Sequence, residues 1–248
     1  MLRATDISVS FGGVCAVQNV SLELRDNEVL GIVGPNGSGK STLLNALTGL
    51  VPASGTLEIG DDRIPLGRPA RVRRAGFLRT FQTPQTFTEL SCIENVMLSA
   101  TDRRGTGLIG SFVGRPWMWR SERARIEAAY HALERVGLEH LAARPAHGLA
   151  YGQNRHLEIA RAIAAEPRLL AMDEPSAGLN QVETAALGKL IKSFAASGIT
   201  ILVVDHKIDF LRDICDRMMV LQVGKTIADG HPDEVFRLRA VIDAYLGV

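Results

Sequence analysis

The chain has 248 residues, long enough to bury a full core, and its 46% apolar and 22% charged residues are ordinary for a globular protein. Its 28 basic and 27 acidic side chains leave a net charge of +1, which excludes the overall electrostatic footprint of a nucleic-acid binder. Three scattered cysteines (Cys15, Cys92, Cys215) without C-x-x-C spacing argue against a zinc site and suit a reducing compartment, and no apolar run approaches the roughly 18 residues of a bilayer-spanning segment.

From residue 2 to residue 24, short apolar alternations (Ile7, Val9, Phe11, then Val17, Val20, Leu22, Leu24) flank Gly12-Gly13 and predict strands around a turn. The run Val29-Leu30-Gly31-Ile32-Val33 then leads into Gly34-Pro35-Asn36-Gly37-Ser38-Gly39-Lys40-Ser41, followed by Thr42-Leu43-Leu44-Asn45-Ala46-Leu47. Strand, glycine-rich loop and helix in that order are the context of a phosphate-binding P-loop. Glycines let the backbone N–H groups approach a polyanion, and the helix N-terminus adds a favourable dipole. Lys40 is then placed to reach the β- and γ-phosphates, and the Ser41 hydroxyl to ligate Mg²⁺. Phe11, at the end of the first alternation, reads either as core filling or as an aromatic platform for adenine.

Gly49 stops the helix, and residues 55–60 predict another strand. The arginines from Arg63 to Arg79 (with Arg68, Arg71, Arg73 and Arg74), interrupted by Pro65, Gly67 and Pro69, read as a solvated face. Residues 77–84 predict an apolar strand ending in a lone Gln82, which taken alone is a loop residue. Ser91-Cys92-Ile93-Glu94 is a capping box, so a helix carrying Ile93, Val96, Met97 and Ala100 starts there.

Residues 101–120 read as irregular, and their Trp117 and Trp119 are either a contact surface for a membrane partner or, the favoured reading, packing against the next helix. That helix is predicted over 121–136, with Gly137 as its C-cap. Leu149 to Arg155 read as a glycine-containing turn before a helical run over 156–164, a second but weak phosphate-facing signal. The apolar strand Arg168-Leu169-Leu170-Ala171-Met172 ends in Asp173 and Glu174, one carboxylate suited to Mg²⁺ and the next to an attacking water. A tight loop, Ser176 to Asn180, precedes a helix with Leu187, Leu190, Ile191 and Phe194 on one face. The strand Thr200 to Val204 delivers His206 at its C-terminal end, the edge where open α/β sheets collect ligands. Two short strands around Gly224 and a single helix over 233–246 complete the chain.

With the P-loop, Gln82, the Tyr151-Gly152-Gln153 turn, Asp173-Glu174, the Ser176 to Asn180 loop and His206 in this order, the whole chain resembles the ATP-binding subunit of ABC transporters. Arg79-Thr80-Phe81-Gln82, Gly105-Thr106-Gly107-Leu108, Leu149-Ala150-Tyr151-Gly152-Gln153, Ala177-Gly178-Leu179-Asn180 and the terminal Ala244-Tyr245-Leu246-Gly247 look like the branched-chain amino acid (Liv-type) uptake ATPases. The resemblance implies one ABC ATPase domain over 1–248. Its fold would be α/β: a RecA-like P-loop NTPase core, an N-terminal antiparallel β subdomain, and an inserted α-helical subdomain over about 86–165 that ends in the signature turn.

It also implies residue roles. Phe11 stacks adenine, and Gly34, Pro35, Asn36, Gly37, Ser38, Gly39, Lys40, Ser41 and Thr42 hold the phosphates of ATP. Ser41, Gln82 and Asp173 serve Mg²⁺, Glu174 polarises the attacking water, and His206 holds the γ-phosphate. Ala150, Tyr151, Gly152 and Gln153 complete the site of the opposite subunit in a head-to-tail dimer. The implied partners are a second, different cassette, two integral-membrane permease subunits and, indirectly, an extracytoplasmic solute-binding protein, at the cytoplasmic face of the inner membrane and without nucleic acid.

Four positions depart from the general ABC pattern: Ala150 for a serine, Tyr151 for a glycine, Asn180 for an aspartate and Asp205 for a glutamate. The alternatives are the same motor serving urea, amides or aromatic carboxylates, and a DNA-maintenance ABC ATPase. The second would carry a long coiled coil or paired cysteines between the P-loop and the signature, and this sequence has neither.

Overall fold

The computed structural model describes residues 2–100 and 116–246, the side chains of 116–122 and 246 excepted. The chain divides into two compact units, Met1–Gln82 with Arg168–Val248, and Thr83–Pro167.

The first unit opens with an antiparallel pair, β1 (Leu2–Phe11) and β2 (Val14–Leu24), running in register from Leu2↔Leu24 to Phe11↔Val14. Gly12 and Gly13, at φ 52° and 89°, make the turn. The buried alternation of Leu2 and Ala4 slips to Ile7 and Val9 across an irregularity where Asp6 lies at φ 53°. Strands β4 (Ser54–Ile59) and β5 (Asp62–Ile64) complete an antiparallel sheet of order β2-β1-β4-β5.

The second sheet has the order β10-β9-β3-β8-β7-β6. Its members are β3 (Val29–Val33), β6 (Phe77–Arg79), β7 (Leu169–Asp173), β8 (Thr200–Val204), β9 (Arg217–Gln222) and β10 (Lys225–Gly230). All neighbours run parallel except the β9–β10 pair. Every residue of β3, β7 and β8 is buried, because parallel strands covered on both faces carry continuous apolar runs. Helix α1 (Lys40–Leu47) packs on β1 and β2, and its Leu43, Leu44 and Leu47 share one core with Leu2, Val9, Leu24, Ile32 and Val204. Helices α2 (Pro69–Arg74), α6 (Gln181–Ala196), α7 (Ile208–Ile214), α8 (Pro232–Val235) and α9 (Arg239–Leu246) also belong to this unit.

The second unit is helical: α3 (Cys92–Met97), α4 (Pro116–Arg135) and α5 (Tyr151–Ile163) pack on one another. Asn95, fully buried, ties the entry to α3 together by donating to the carbonyls of Phe87, Leu90 and Ser91. The capping box at Ser91 and Glu94 is present. Among the described residues no helix is long and apolar enough to cross a membrane.

Several expectations are corrected. Residues 116–120 are helical, with proline at the first position of α4, where its missing N–H costs nothing. The helix over 233–246 is two helices separated by Phe236 to Leu238. Strand β6 ends at Arg79, three residues short of Gln82. Tyr151, Gly152 and Gln153 are the first turn of α5 and no preceding loop, with Ala150 as N-cap. Residues 105–108, Gly247 and the side chains of Trp117 and Trp119 lie outside the described residues.

Candidate functional site

The C-terminal ends of β3, β6, β7 and β8 deliver the P-loop, Gln82, Asp173-Glu174 and His206 to one edge of the sheet, the edge where such sheets bind ligands. Ala150 to Gln153 belong to the helical unit.

The loop after β3 is shaped by close backbone approaches. Gly34 lies at φ 150°, and a Cβ there would stand 2.1 Å from the Leu221 carbonyl oxygen; at Gly39, φ 102°, it would stand 2.5 Å from that of Ala16. The Gly224 N–H donates to the Ser38 carbonyl at 2.9 Å, and the Gln18 N–H to the Gly224 carbonyl at 2.8 Å, so β2 and the β9–β10 turn hold the loop from either side. Gly37, at φ 78°, has open space where a Cβ would project. Lys40 Nζ donates to the carbonyls of Gly34 at 2.8 Å and Pro35 at 3.0 Å. Burial pushes its pKa down, against the attraction of Glu174 and Asp173. Ser41 is exposed and Thr42 half-buried at the start of α1.

Asp173 ends β7, buried, with Oδ2 paired to Arg79 Nη2 at 2.6 Å. Its Oδ1 is buried with no hydrogen-bond partner among the described residues. Arg79 Nη1 donates to Asn45 Oδ1 of α1 at 2.5 Å, and the guanidinium lies 5.5 Å from the Phe81 ring centroid. Arg79 is therefore not part of a solvated arginine face: its side chain is 9% exposed and its charge is committed to Asp173. The signal in the sequence is its place at the end of an apolar strand, whereas Arg63, Arg68, Arg71, Arg73 and Arg74 lie in the stretch broken by Pro65, Gly67 and Pro69.

Glu174 has φ 44°, a left-handed conformation that costs a non-glycine residue about 1–2 kcal/mol. Its N–H donates to the Val204 carbonyl at 2.7 Å, and its Oε2 accepts from Gln82 Nε2 at 2.8 Å, so Gln82 and Glu174 meet directly. His206, half exposed, has Nδ1 3.7 Å from Asp205 Oδ1. Phe11 ends β1 with half its surface exposed, which leaves a ring face available for stacking and does not fill the core.

In the helical unit, the Ala150 N–H donates to Gln153 Oε1 at 3.0 Å, half of a capping box; alanine has no hydroxyl to return the other bond. Arg155, fully buried, pairs with Glu158 at 3.0 Å and reaches the Tyr151 hydroxyl at 3.4 Å, which fixes the first turn of α5.

These residues fit a nucleotide with Mg²⁺. The space above Gly37 and the unmatched Asp173 Oδ1 and Ser38 Oγ are polar, buried or open positions that phosphate and a hydrated cation satisfy. Among the described residues no group of three or more His, Cys, Asp or Glu side chains could hold a metal by itself, so a metal ion there would take most of its oxygens from phosphate and water.

A phosphate loop on a parallel sheet, an antiparallel sheet packed on the loop helix, and a helical unit inserted between β6 and β7 define a P-loop ATP-binding cassette. A family model described as ABC transporter matches residues 17–177, and the chain belongs to that family as one of its ATPase cassettes. It is 39% identical to the high-affinity branched-chain amino acid transport ATP-binding protein LivG of Salmonella typhimurium, over 100% of this chain and 98% of that one. It is 38% identical to the corresponding protein BraF of Pseudomonas aeruginosa, with the same coverage. Among solved structures it is similar to a nucleotide-free ATP-binding cassette from an ABC transporter (TM-score 0.86, 32% identity, 100% and 99% of the two chains). It is also similar to a cassette in its ADP conformation (TM-score 0.85, 31% identity, 100% and 99%).

Proposed function

We propose that this chain is the ATP-binding and hydrolysing subunit that powers an importer for branched-chain amino acids. The observation that carries the reading is the meeting of Lys40, Asp173, Gln82, Glu174 and His206 at one edge of the parallel sheet. The substrate class rests on likeness to LivG and BraF, both named for branched-chain amino acid transport.

In this reading the N–H groups of Gly34 to Ser41 cradle the phosphates, and Lys40 leaves the carbonyls of Gly34 and Pro35 for the β- and γ-phosphate oxygens. Phe11 offers its ring to adenine. Ser41, Gln82 and Asp173 hold Mg²⁺, which neutralises charge on the phosphate oxygens when bound. Glu174 orients the attacking water and withdraws its proton as the water oxygen bonds the γ-phosphorus and the bond to the β,γ-bridging oxygen breaks, releasing ADP and phosphate, and His206 donates to the γ-phosphate. Gln82, already bonded to Glu174, couples that carboxylate to the chain that enters the helical unit.

The partners in this reading are a second, different cassette and two permeases, reached at the cytoplasmic face of the inner membrane, with a solute-binding protein outside. Another ABC cassette of 27% identity forms a dimer. Ala150 supports an unlike pair here: it lacks a hydroxyl for the opposite γ-phosphate, and a hydrogen bond to such a charged group is worth about 1.5–3 kcal/mol. Two such signatures would weaken both sites, whereas a serine-bearing partner restores the one built on Lys40.

The test is reconstitution of the chain with its permeases and second cassette in vesicles supplied with binding protein. ATP-driven uptake of leucine, isoleucine or valine is expected. ATP turnover stimulated by urea or an aromatic carboxylate and indifferent to these amino acids would overturn the substrate class, and activity with this chain as the only cassette would overturn the unlike pair.

A further inference from the structure

Strand β8 runs out into Asp205-His206-Lys207, and the two charged residues beside the histidine close on one stretch of backbone. Asp205 is fully buried; its Oδ1 accepts the N–H groups of His206 at 2.7 Å and Lys207 at 3.0 Å, and its Oδ2 accepts the Ser176 N–H at 3.1 Å. Lys207 Nζ donates to the Ser176 carbonyl at 2.9 Å and to the Leu179 carbonyl at 3.1 Å, and lies 3.4 Å from Thr184 Oγ1 on α6. The carboxylate thus takes the N–H of Ser176 and the ammonium takes its carbonyl. Ser176 is fully buried, and buried backbone groups in a loop must find partners outside the regular ladders. Bonds from a charged donor are the stronger kind available.

This loop starts two residues after Glu174, whose backbone is held at φ 44° and bonded to Val204 just upstream of Asp205. Segments 174–179 and 204–207 are therefore laced together at three levels, and the proposed water-orienting carboxylate and γ-phosphate histidine belong one to each of the laced segments. We propose that Lys207 is a positioning residue: it holds the Ser176 to Asn180 loop in register with His206, so that Glu174 and His206 are presented as one unit. The inference rests on the hydrolytic reading of the site given above. Lys207 makes none of its bonds to the phosphate loop, so its removal should act on the rate and not on nucleotide affinity. It lines a cleft of about 710 Å³ between α6 and α7 with Leu179, Thr184 and Phe210, which gives a longer cation room to reach the same carbonyls.

The experiment compares wild type, Lys207→Met, Lys207→Gln and Lys207→Arg. ATP turnover is measured on the complex with permeases and second cassette, the partner's own site disabled; fluorescent ATP-analogue binding and amide hydrogen exchange are measured on each full chain. For Lys207→Met, kcat is expected to fall about tenfold or more, with KM and analogue affinity within about twofold of wild type. Amide exchange over 176–179 should quicken without nucleotide, and Lys207→Arg should recover at least about half the rate. Should Lys207→Met not fold, Lys207→Gln carries the same expectation with a smaller fall. Unchanged kcat in both neutral variants, a fall shared by kcat and KM, or no recovery with arginine overturns the inference. A wild-type complex that does not hydrolyse ATP overturns the reading of the site, and the inference with it.

Discussion

Arg79 and Asp173 form a buried ion pair, Nη2 to Oδ2 at 2.6 Å, and the same guanidinium grips Asn45 of α1. One cation therefore joins the last residue of β7 to the helix that follows the phosphate loop. It leaves Asp173 with one oxygen committed and the other without a hydrogen-bond partner among the described residues.

Breaking this pair from the arginine side strands a buried carboxylate, so Arg79→Met should cost about 3–5 kcal/mol of stability. Arg79→Lys keeps the charge but cannot bond Asp173 and Asn45 through one planar fork, and should fall between the two. Urea denaturation measures both. A loss below about 1 kcal/mol for Arg79→Met would show that the pair contributes little to the folded state.

Glu174→Gln should bind ATP with unchanged affinity while turnover drops about a hundredfold or more, because the amide fills the same space but cannot accept the water's proton. Single-turnover hydrolysis beside equilibrium binding separates the two effects. Wild-type turnover in the variant would remove Glu174 from its role.

The glycines of the loop should separate by mutation. Gly34→Ala forces a Cβ onto the Leu221 carbonyl and should destabilise the chain severely, while Gly37→Ala meets open space and should cost only the roughly 1–2 kcal/mol of its left-handed backbone. Gly37→Ala should instead weaken nucleotide binding, because it fills the cradle. Equal thermal shifts in the two variants would contradict this division.

Lys40 sets a pH dependence whose sign follows from burial. Its pKa is lowered from the ordinary 10.5, so the folded chain releases this proton before the unfolded chain does. In the window beneath 10.5 the unfolded state binds more protons, and this residue's contribution to stability rises with pH; below the folded pKa the full cost of burying the ammonium remains. Denaturant titrations at several pH values should show wild type gaining on Lys40→Met as that window is entered. A constant difference would mean that Lys40 is not perturbed.

Ala150→Ser supplies the hydroxyl that the signature lacks. It should raise turnover at the partner cassette's ATP site and leave the site built on Lys40 unchanged, measured with each site disabled in turn. A rise at the Lys40 site would place this signature in its own subunit's chemistry.

The phosphate loop was legible in the sequence because strand, glycines and helix are contiguous and each residue type answers a local demand. The buried strands β7 and β8 were legible as apolar runs, and the Ser91 capping box as a short-range pattern. The ion pair of Arg79 is not legible in the sequence, because its partners, Asp173 and Asn45, are set by strand order and not by neighbours. The start of α5 is hidden in the sequence by Gly152, which has the composition of a turn, although it lies in the first turn of the helix beside the Ala150–Gln153 half-cap. The break between α8 and α9 carries no glycine or proline at Phe236 to Leu238, so periodicity alone ran through it.

The hydrogen bond from Gly224 to Ser38, and the press of Ala16 against Gly39 and Gly224, mean that the phosphate loop is not finished by its own sequence. In the order of synthesis, residues 34–41 come well before the hairpin Arg217–Gly230 that braces them. A nascent chain ending before β9 would hold the complete glycine motif and still lack the β9–β10 turn that bonds to Ser38, so the loop takes its shape only once that hairpin has joined it.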